Sequence, residues 1–527
     1  MRITQRAQRI EPFYVMEMAK AAQRIANEVK HTDRPMVFLN IGEPDFTAPA
    51  LVQEAAIKAI RDGRTQYTHA LGLDRLRERI SDWYQSRFQV HVPASRIVVT
   101  AGASAALQLA CLTLIEAGDD VLMPDPCYPC NRQFVQAAEG RAVLLPTDAA
   151  QRFQLSADQV TQHWQATTRG VLMASPSNPT GTSVAFDELT RIHHAVRERG
   201  GVTLVDEIYL GLSHESGWGR TALAIDDQVI SINSFSKYFQ MTGWRLGWLV
   251  VPESLVPVIE RLAQNLFICP SSVAQHAALA CFEPESLAIY EQRRDVFKQR
   301  RDRFIPQLNA MGLTVPVMPD GAFYAWADCR QACQRLGLAD SWAFAEHVMH
   351  EAHVVITPGR DFSHHQPGDF VRLSTASAME TLNHAAQRLR HWLNRQILPA
   401  LHQRPSNAPR HDQALAMAAE AGQQISHAVL RTVMEQGPGW QHGHWLLTLH
   451  FTPNHASRHA HRRLVALNSQ ATPLQALTQH IAAPGGLASS NTELLRLAVA
   501  CHELLAKRLS KQAWRMEAAE GSAPKPN

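Results

Sequence analysis

Short β-rich runs alternate with longer helical stretches between about residues 95 and 250, and this alternation constrains the fold more than any other feature of the sequence. The runs are IVVT, DVLMPD, GVLMAS, VTLVDE, VISINS and GWLVV. Such a pattern is typical of a mainly parallel sheet covered by helices. The sequence therefore predicts an α/β fold. Ligands in such folds bind beyond the carboxyl ends of the strands, so residues directly after each run are the first candidates for a functional site.

The flanking segments indicate a second, smaller α/β domain that is built from both ends of the chain. We expect residues 1–45 to join 291–396 in this small domain, while 46–290 form the large domain. A linker is expected at 397–410, because two prolines and several polar residues in RPSNAPR interrupt any helix there. The chain thus divides into two domains, a linker and a C-terminal extension.

Residues 411–527 form this extension, which we expect to be mostly helical with a disordered end. The helical candidates are 411–435 and 491–518, and the final AAEGSAPKPN has a composition typical of disorder. From residue 401 onward there are 12 Lys and Arg against 7 Asp and Glu. An excess of this size is typical of a solvated face, so nucleic-acid binding is not expected.

Three histidines in the extension raise the question of a metal site. His455, His459 and His461 could share one face of a short helix or turn, but the nearby carboxylates and cysteines that would complete such a site are lacking. Cys127 and Cys130 form a CxxC in the proline-rich turn MPDPCYPC, without a second pair of matching spacing. We interpret the two cysteines as turn residues and expect no metal at either place.

The N-terminal MRITQRAQRIEPF contains no apolar stretch that could be the core of a signal peptide, and no later segment has an apolar run of membrane length. We therefore expect a cytoplasmic protein. Its eight scattered cysteines are expected to be reduced.

A phosphate site is indicated after the first run. Ser104 follows IVVTAGA and begins a helical stretch, so the backbone N–H groups of Ala103 and Ser104 are expected at a helix N-terminus. Unpaired N–H groups and the helix dipole favour an anion at such an end. A serine at this position is more often an ordinary helix cap, so a phosphate site is indicated only if the residues after the later β-rich runs agree with it.

Polar residues follow three later runs of the predicted sheet. Asn178 follows GVLMAS in SPSNPTG, Asp206 ends VTLV with Tyr209 three residues on, and Lys237 follows VISIN in SFSKYFQMTGWR. Each residue alone has an ordinary structural explanation as a cap, a turn residue or a solvated charge. Their order along one predicted sheet edge is far more specific.

This ordered set resembles the class I/II aminotransferases of the fold type I pyridoxal-phosphate enzymes, over roughly residues 10–396. The resemblance implies that Lys237 forms a Schiff base with pyridoxal 5′-phosphate and that Asp206 pairs with the pyridine nitrogen of the cofactor. Asn178 and Tyr209 would contact its phenolic oxygen. Tyr128, between the two cysteines of MPDPCYPC, resembles the aromatic residue that stacks on the ring.

The resemblance also implies a phosphate-binding cup and a homodimer. The cup would consist of Ser234, Ser236, Arg245, Ala103 and Ser104. Tyr67, in QYTHALGLDRLR, resembles a tyrosine that reaches the phosphate of the partner subunit, which implies active sites shared between two copies of the chain.

Substrate recognition is implied for Gly42 in IGEPDF, for Asn178, and for Arg372 in FVRLSTA. The Arg372 guanidinium would clamp the substrate α-carboxylate with two parallel hydrogen bonds, which orients the α-hydrogen. Lys237, once displaced by the incoming amine, would move the proton between the α-carbon and the cofactor. Asp206 and Tyr209 are the other two expected catalytic residues.

Two positions depart from the family pattern. Gln240 stands where the family usually has Gly, Ala or another small residue. Ser104 stands where some bacterial aspartate aminotransferases carry a lysine that helps to hold a second carboxylate. The second departure leaves the preferred amino acid undecided.

The sequence predicts an aminotransferase that moves the amino group of an L-amino acid to a 2-oxo acid, with 2-oxoglutarate as the expected acceptor. A β-eliminating lyase of the same fold would use the same lysine and aspartate and is the nearest alternative. A cofactor-dependent regulator is a more distant one, because by resemblance it would carry an N-terminal helix-turn-helix, whereas the additional segment here is C-terminal.

Overall fold

The structure of the chain is a computed structural model that describes residues 2–12, 14–402, 423–433, 444–453 and 462–467. The chain divides into two units, Met1–Ile397 and Leu398–Asn527. The first unit contains every residue of the predicted site.

A mainly parallel sheet lies at the centre of the first unit and confirms the predicted α/β class. Its order is β2-β8-β7-β6-β5-β3-β4, and β8 alone runs in the direction opposite to the other six strands. The inner strands are buried because helices cover the sheet, which explains their continuous apolar runs. β4, the run RAVLLP, was not among the predicted strands. The strands are β2 (Ile97–Thr100), β3 (Asp120–Asp125), β4 (Arg141–Pro146), β5 (Thr168–Ala174), β6 (Val202–Asp206), β7 (Ile230–Ser234) and β8 (Gly247–Val250).

Helices precede, connect and follow these strands. Several begin at recognisable caps; Ser156, for example, forms a capping box with Gln159. The helices up to residue 310 are α1 (Gln5–Arg9), α2 (Tyr14–Val29), α3 (Ala50–Arg61), α4 (Asp74–Phe88), α5 (Ala103–Leu114), α6 (Pro129–Ala137), α7 (Ala157–His163), α8 (Phe186–Arg197), α9 (Val256–Leu266), α10 (Ser272–Ala278) and α11 (Pro284–Ala310).

A smaller α/β domain is built from both ends of the first unit. Met18 and Leu39 pack in one buried apolar cluster with Phe344, Val371 and Leu389. One small sheet pairs β1 in parallel with β10, and another has the order β11-β12-β9. The remaining elements of this domain are β1 (Val37–Phe38), β9 (Tyr324–Asp328), β10 (Val354–Val355), β11 (Thr357–Pro358), β12 (Phe370–Ser374), α12 (Arg330–Leu336), α13 (Ser341–His347) and α14 (Met379–His402).

The predicted helical character of the extension is wrong over its described residues. Three antiparallel strands, β13 (Gln423–Val433), β14 (His444–Pro453) and β15 (Arg462–Leu467), replace it. β13 falls inside the helix predicted for 411–435; its β-branched Ile425, Val429, Thr432 and Val433 favour a strand.

The predicted linker also begins too early, because 397–402 belong to α14. The candidate helix 491–518, the disordered end and the three histidines lie outside the described residues.

Within the described ranges, no helix is long and apolar enough to cross a membrane. The same ranges contain no group of three or more His, Cys, Asp or Glu side chains placed to hold a metal ion. Cys127, Cys130 and the other described cysteines are free thiols.

Candidate active site

The carboxyl ends of three neighbouring parallel strands carry the central residues of the predicted site. β6 ends at Asp206, Asn178 follows β5 by four residues and Lys237 follows β7 by three. β5 pairs with β6 and β6 with β7, so their ends lie side by side. The structure thus brings together the residues that the sequence placed on one sheet edge.

Lys237 contacts a segment that lies almost two hundred residues earlier in the chain. Its Nζ donates to the carbonyl oxygen of Gly42 at 2.6 Å. Burial, together with the nearby charges of Arg372 and Arg245, lowers the pKa of Lys237 to about 8, against the opposing effect of the Glu43 and Asp206 charges. The amine is therefore easily deprotonated near neutral pH.

Asp206 is a buried carboxylate with few partners. Burial raises its pKa to about 6, while hydrogen bonds from the Ile208 backbone N–H and the Asn131 side chain and the charge of Lys237 favour the ionised form. The Ile208 N–H lies 3.2 Å from Oδ1. A buried carboxylate of this kind favours a cationic partner, because a neighbouring positive charge offsets its loss of hydration.

Arg372 reaches this edge from β12 in the small domain and is 2% exposed. Nη1 donates to Asn178 Oδ1 at 2.9 Å, and Nη2 donates to the Asn40 carbonyl oxygen at 2.5 Å. Nε is buried without a hydrogen-bond partner among the described residues. Because the side-chain oxygen of Asn178 already accepts from Arg372, its amide nitrogen is the group left to donate to a ligand.

A second tyrosine, Tyr324, joins the site although the sequence reading missed it. Its hydroxyl lies 2.6 Å from the hydroxyl of Tyr209, and its ring lies 4.7 Å from the guanidinium carbon of Arg372. A Cβ on Gly42 would fall 2.1 Å from the Tyr324 hydroxyl oxygen, so a side chain at residue 42 would displace this tyrosine. Tyr324 lies in β9 within GAFYAWA, where local sequence does not distinguish it from a core aromatic residue.

Arg245 of the predicted phosphate cup lies at the N-terminus of α5, where the helix begins with Ala103 and Ser104. Gly102 caps this helix with a φ of 84°, and a Cβ there would fall 2.6 Å from Arg245 Nη2. The glycine therefore allows the guanidinium to lie against the helix end, where the N–H groups of Ala103 and Ser104 have no partner within the helix. Ser234 Oγ donates to the Leu246 carbonyl oxygen at 3.3 Å and accepts from the Ser236 N–H at 2.9 Å.

Two predicted aromatic residues differ in their placement. Tyr128 is the N-cap residue of α6 and is half-buried; burial raises the pKa of its hydroxyl well above the usual value, and the nearby Cys130, Tyr324 and Asp206 add to the effect. Tyr128 therefore lies close to Tyr324 and Asp206 in the candidate site. Tyr67, in contrast, is 83% exposed and is not part of the buried site of its own chain.

These groups give the site three chemical capabilities. The Lys237 amine can attack a carbonyl carbon when it is neutral. Arg245 and the α5 N-terminus can hold a phosphate, and Asp206 can stabilise a buried cation. Arg372 presents a guanidinium to any carboxylate that enters beside Asn178.

The model of the family described as aminotransferase class I and II matches residues 34–389. Valine–pyruvate aminotransferase of Mycobacterium tuberculosis is 36% identical over 386 residues, which cover 73% of this chain and 97% of the relative. A crystal structure of an aminotransferase from Mycobacterium tuberculosis superposes with a TM-score of 0.70 at 34% identity, covering 75% of this chain and all of that one. Aspartate aminotransferase from Thermus thermophilus with maleate gives a TM-score of 0.68 at 28% identity, over 74% of this chain and all of that one.

Proposed function

Because the chain belongs to the class I and II aminotransferase family, we propose that it moves the amino group of an L-amino acid to a 2-oxo acid through pyridoxal 5′-phosphate on Lys237. We propose 2-oxoglutarate as the acceptor. One observation carries the proposal: the amine of Lys237, the carboxylate of Asp206 and the guanidinium of Arg372 converge from three elements on one buried site.

The residues present fit this cofactor. Gly102 leaves room for Arg245 against the α5 N-terminus, which together form a cradle for a phosphate. Asp206 is buried with a raised pKa, as expected for a carboxylate that lacks its cationic partner. When bound, pyridoxal phosphate withdraws electrons from the substrate α-carbon and so allows its proton to leave. Arg245, Ser234, Ser236, Ala103 and Ser104 would hold the phosphate, while Tyr128 would pack against the ring.

Asp206 would act by holding a proton at the pyridine nitrogen. Its carboxylate lies at the end of β6, where the Asn131 side chain and the Ile208 N–H fix its orientation. Ionised Asp206 favours the protonated nitrogen, because the two opposite charges stabilise each other where water is excluded.

Lys237 would act as the base that removes the α-proton. Its lowered pKa gives Lys237 a larger neutral fraction near neutral pH than an ordinary lysine has, and only the neutral amine can accept a proton. The hydrogen bond to the Gly42 carbonyl holds the amine beside the segment that would bind the substrate.

Tyr209 would donate to the phenolic oxygen of the cofactor, with Asn178 as a second donor. For Tyr209 to donate outward, the Tyr324 hydroxyl must donate to Tyr209 across their 2.6 Å contact. Such a chain of hydrogen bonds strengthens the outer donor. We therefore propose Tyr324 as a residue that orients the Tyr209 hydroxyl.

We also propose a homodimer. Tyr67 is 83% exposed in a single chain, which supports a role of its hydroxyl in the active site of a partner subunit. Each active site would then be complete only in the dimer.

A panel of amino acids tests the proposal. Purified protein loaded with pyridoxal phosphate is mixed with each amino acid, and the absorbance of the bound cofactor is followed before and after 2-oxoglutarate is added. We expect conversion to the pyridoxamine form and its reversal by the acceptor. Release of ammonia and a 2-oxo acid without the pyridoxamine form would instead identify a β-eliminating lyase.

A further inference from the structure

Two residues of the segment 42–47 contact the loop that carries the lysine. Gly42 accepts the hydrogen bond from Lys237, and Thr242 Oγ1 donates to a carboxylate oxygen of Glu43. The position of the segment therefore depends on the position of residues 237–242.

The long helix α11 holds the same segment from the other side. Arg300 donates to both carboxylate oxygens of Asp45 at 2.7 and 2.8 Å, and Arg293 Nη1 donates to the Thr47 carbonyl oxygen at 2.8 Å. The two arginines are seven residues apart, which places them on one face of the helix. α11 thus fixes the far end of the segment.

Gln240 connects these two sets of contacts. Its side-chain Oε1 accepts from the same Arg293 Nη1 that donates to Thr47. Gln240 is 3% exposed, and its backbone N–H donates to the Lys237 carbonyl oxygen at 3.2 Å. One residue therefore contacts both the loop of the lysine and the arginine that holds the segment.

The backbone at residue 240 does not favour a glutamine. Its φ is 56°, in the left-handed region where a side chain is unfavourable and glycine is preferred. A long polar side chain in this conformation is therefore explained by the contact it makes with Arg293.

We infer that Gln240 is a positioning residue, which holds Arg293 so that the segment 42–47 stays in place over the active site. Gln240 also lines a cleft of about 610 Å³ together with Glu43, Phe46, Thr242 and Trp244. The inference rests on the proposed function, in which Gly42 borders the substrate. Loss of the Gln240 contact should therefore weaken substrate binding more than it slows the chemical step.

Gln240→Gly tests this inference, because it removes the contact and at the same time relieves the left-handed backbone. We expect KM for the amino acid to rise about three- to tenfold, with kcat within about twofold; this is less than the full effect of one hydrogen bond to a charged group, because Gln240 acts on the substrate only through Arg293 and the segment. Gln240→Glu keeps an acceptor for Arg293 and should retain the wild-type KM. Gln89→Gly is the matched control, because Gln89 is exposed and has a φ of 58°.

Amide hydrogen exchange of peptides that cover 42–47 gives a readout independent of turnover. It should be faster in Gln240→Gly than in the wild type or in Gln89→Gly. Arg293→Met should raise KM to a similar extent, and the double variant with Gln240→Gly should raise it no further.

An unchanged KM and unchanged exchange in Gln240→Gly would overturn the inference, as would a Gln240→Glu variant that behaves like Gln240→Gly. If the wild type itself fails to convert the cofactor with any amino acid, the proposed function fails, whereas the exchange measurement still tests the contact.

Discussion

Replacing Arg372 by lysine keeps the positive charge of the site but removes the planar fork of the guanidinium. Arg372 donates to Asn178 Oδ1 and to the Asn40 carbonyl oxygen, and its Nε has no partner among the described residues. A lysine has a single nitrogen, so it cannot reach both protein acceptors and also make two parallel bonds to a carboxylate. The variant therefore tests the contribution of the guanidinium geometry while the positive charge is kept.

The expected loss follows from the number of hydrogen bonds. In Arg372→Lys, the new ammonium would make at most one of the two bonds to the substrate carboxylate, and one hydrogen bond to a charged group contributes about 1.5–3 kcal/mol. This corresponds to a decrease of about 10- to 150-fold in kcat/KM, since about 1.4 kcal/mol is a factor of ten. Loss of one of the two buried protein contacts should also lower the unfolding temperature.

Stopped-flow absorbance of the first half-reaction, over a range of amino-acid concentrations, measures this loss. Arg360→Lys is the matched control, because Arg360 is exposed and its guanidinium lies against the ring of Tyr14, 4.2 Å from the centroid. We expect Arg360→Lys to leave the rate unchanged. A decrease of less than about twofold in Arg372→Lys, with the cofactor still bound, would refute the assignment of Arg372 to the carboxylate.

Four further predictions concern the carboxylate, the lysine and the extension. Asp206→Asn should lower kcat about tenfold or more, since it removes a charged hydrogen-bond partner, while the exposed Asp227→Asn should not; equal kcat values in the two variants would contradict the role of Asp206. In cofactor-free protein, the rate at which Lys237 captures pyridoxal phosphate should rise as the pH increases through about 8, because burial lowers its pKa and the neutral amine reacts; a rise that begins only near the ordinary lysine pKa would contradict this. The unfolding free energy should also increase with pH from about 8 to the ordinary lysine pKa, where the unfolded chain binds the extra proton, and this increase should be absent in Lys237→Met. A chain that ends at His402 should retain the half-reaction, because all proposed site residues lie between Gly42 and Arg372; loss of cofactor binding would show that the extension contributes to the first unit.

The central sheet and its polar edge could be predicted from the sequence because their signals are local. Asn178, Asp206 and Lys237 each follow a buried strand. Because the carboxyl ends of parallel strands meet at one edge of the sheet, the three residues could be placed at that edge without knowledge of how the helices pack. Gly42 and Arg372 have no such local signal. Only the resemblance to a family pointed to them; in the structure, Arg372 reaches the segment that contains Gly42 through its hydrogen bond to the Asn40 carbonyl oxygen.

The remaining features depend on contacts between distant parts of the chain. Tyr324 could not be distinguished from a core aromatic residue until its hydroxyl was seen beside Tyr209 and Gly42. The contact between Gln240 and Arg293 spans 53 residues and involves a helix with many arginines. The residues of β13 follow an alanine-rich stretch that favours a helix, whereas their pairing with β14, a contact between separate segments, favours a strand.

The central claim is that Lys237 binds pyridoxal phosphate covalently in an enzyme that transfers amino groups. The most direct test is to reduce the loaded protein with borohydride, digest it and locate the added mass by tandem mass spectrometry. We expect the cofactor on the peptide that contains Lys237, and no label on that peptide if the amino acid converts the cofactor before reduction. A label on another lysine, or no label on the loaded protein, would contradict the account.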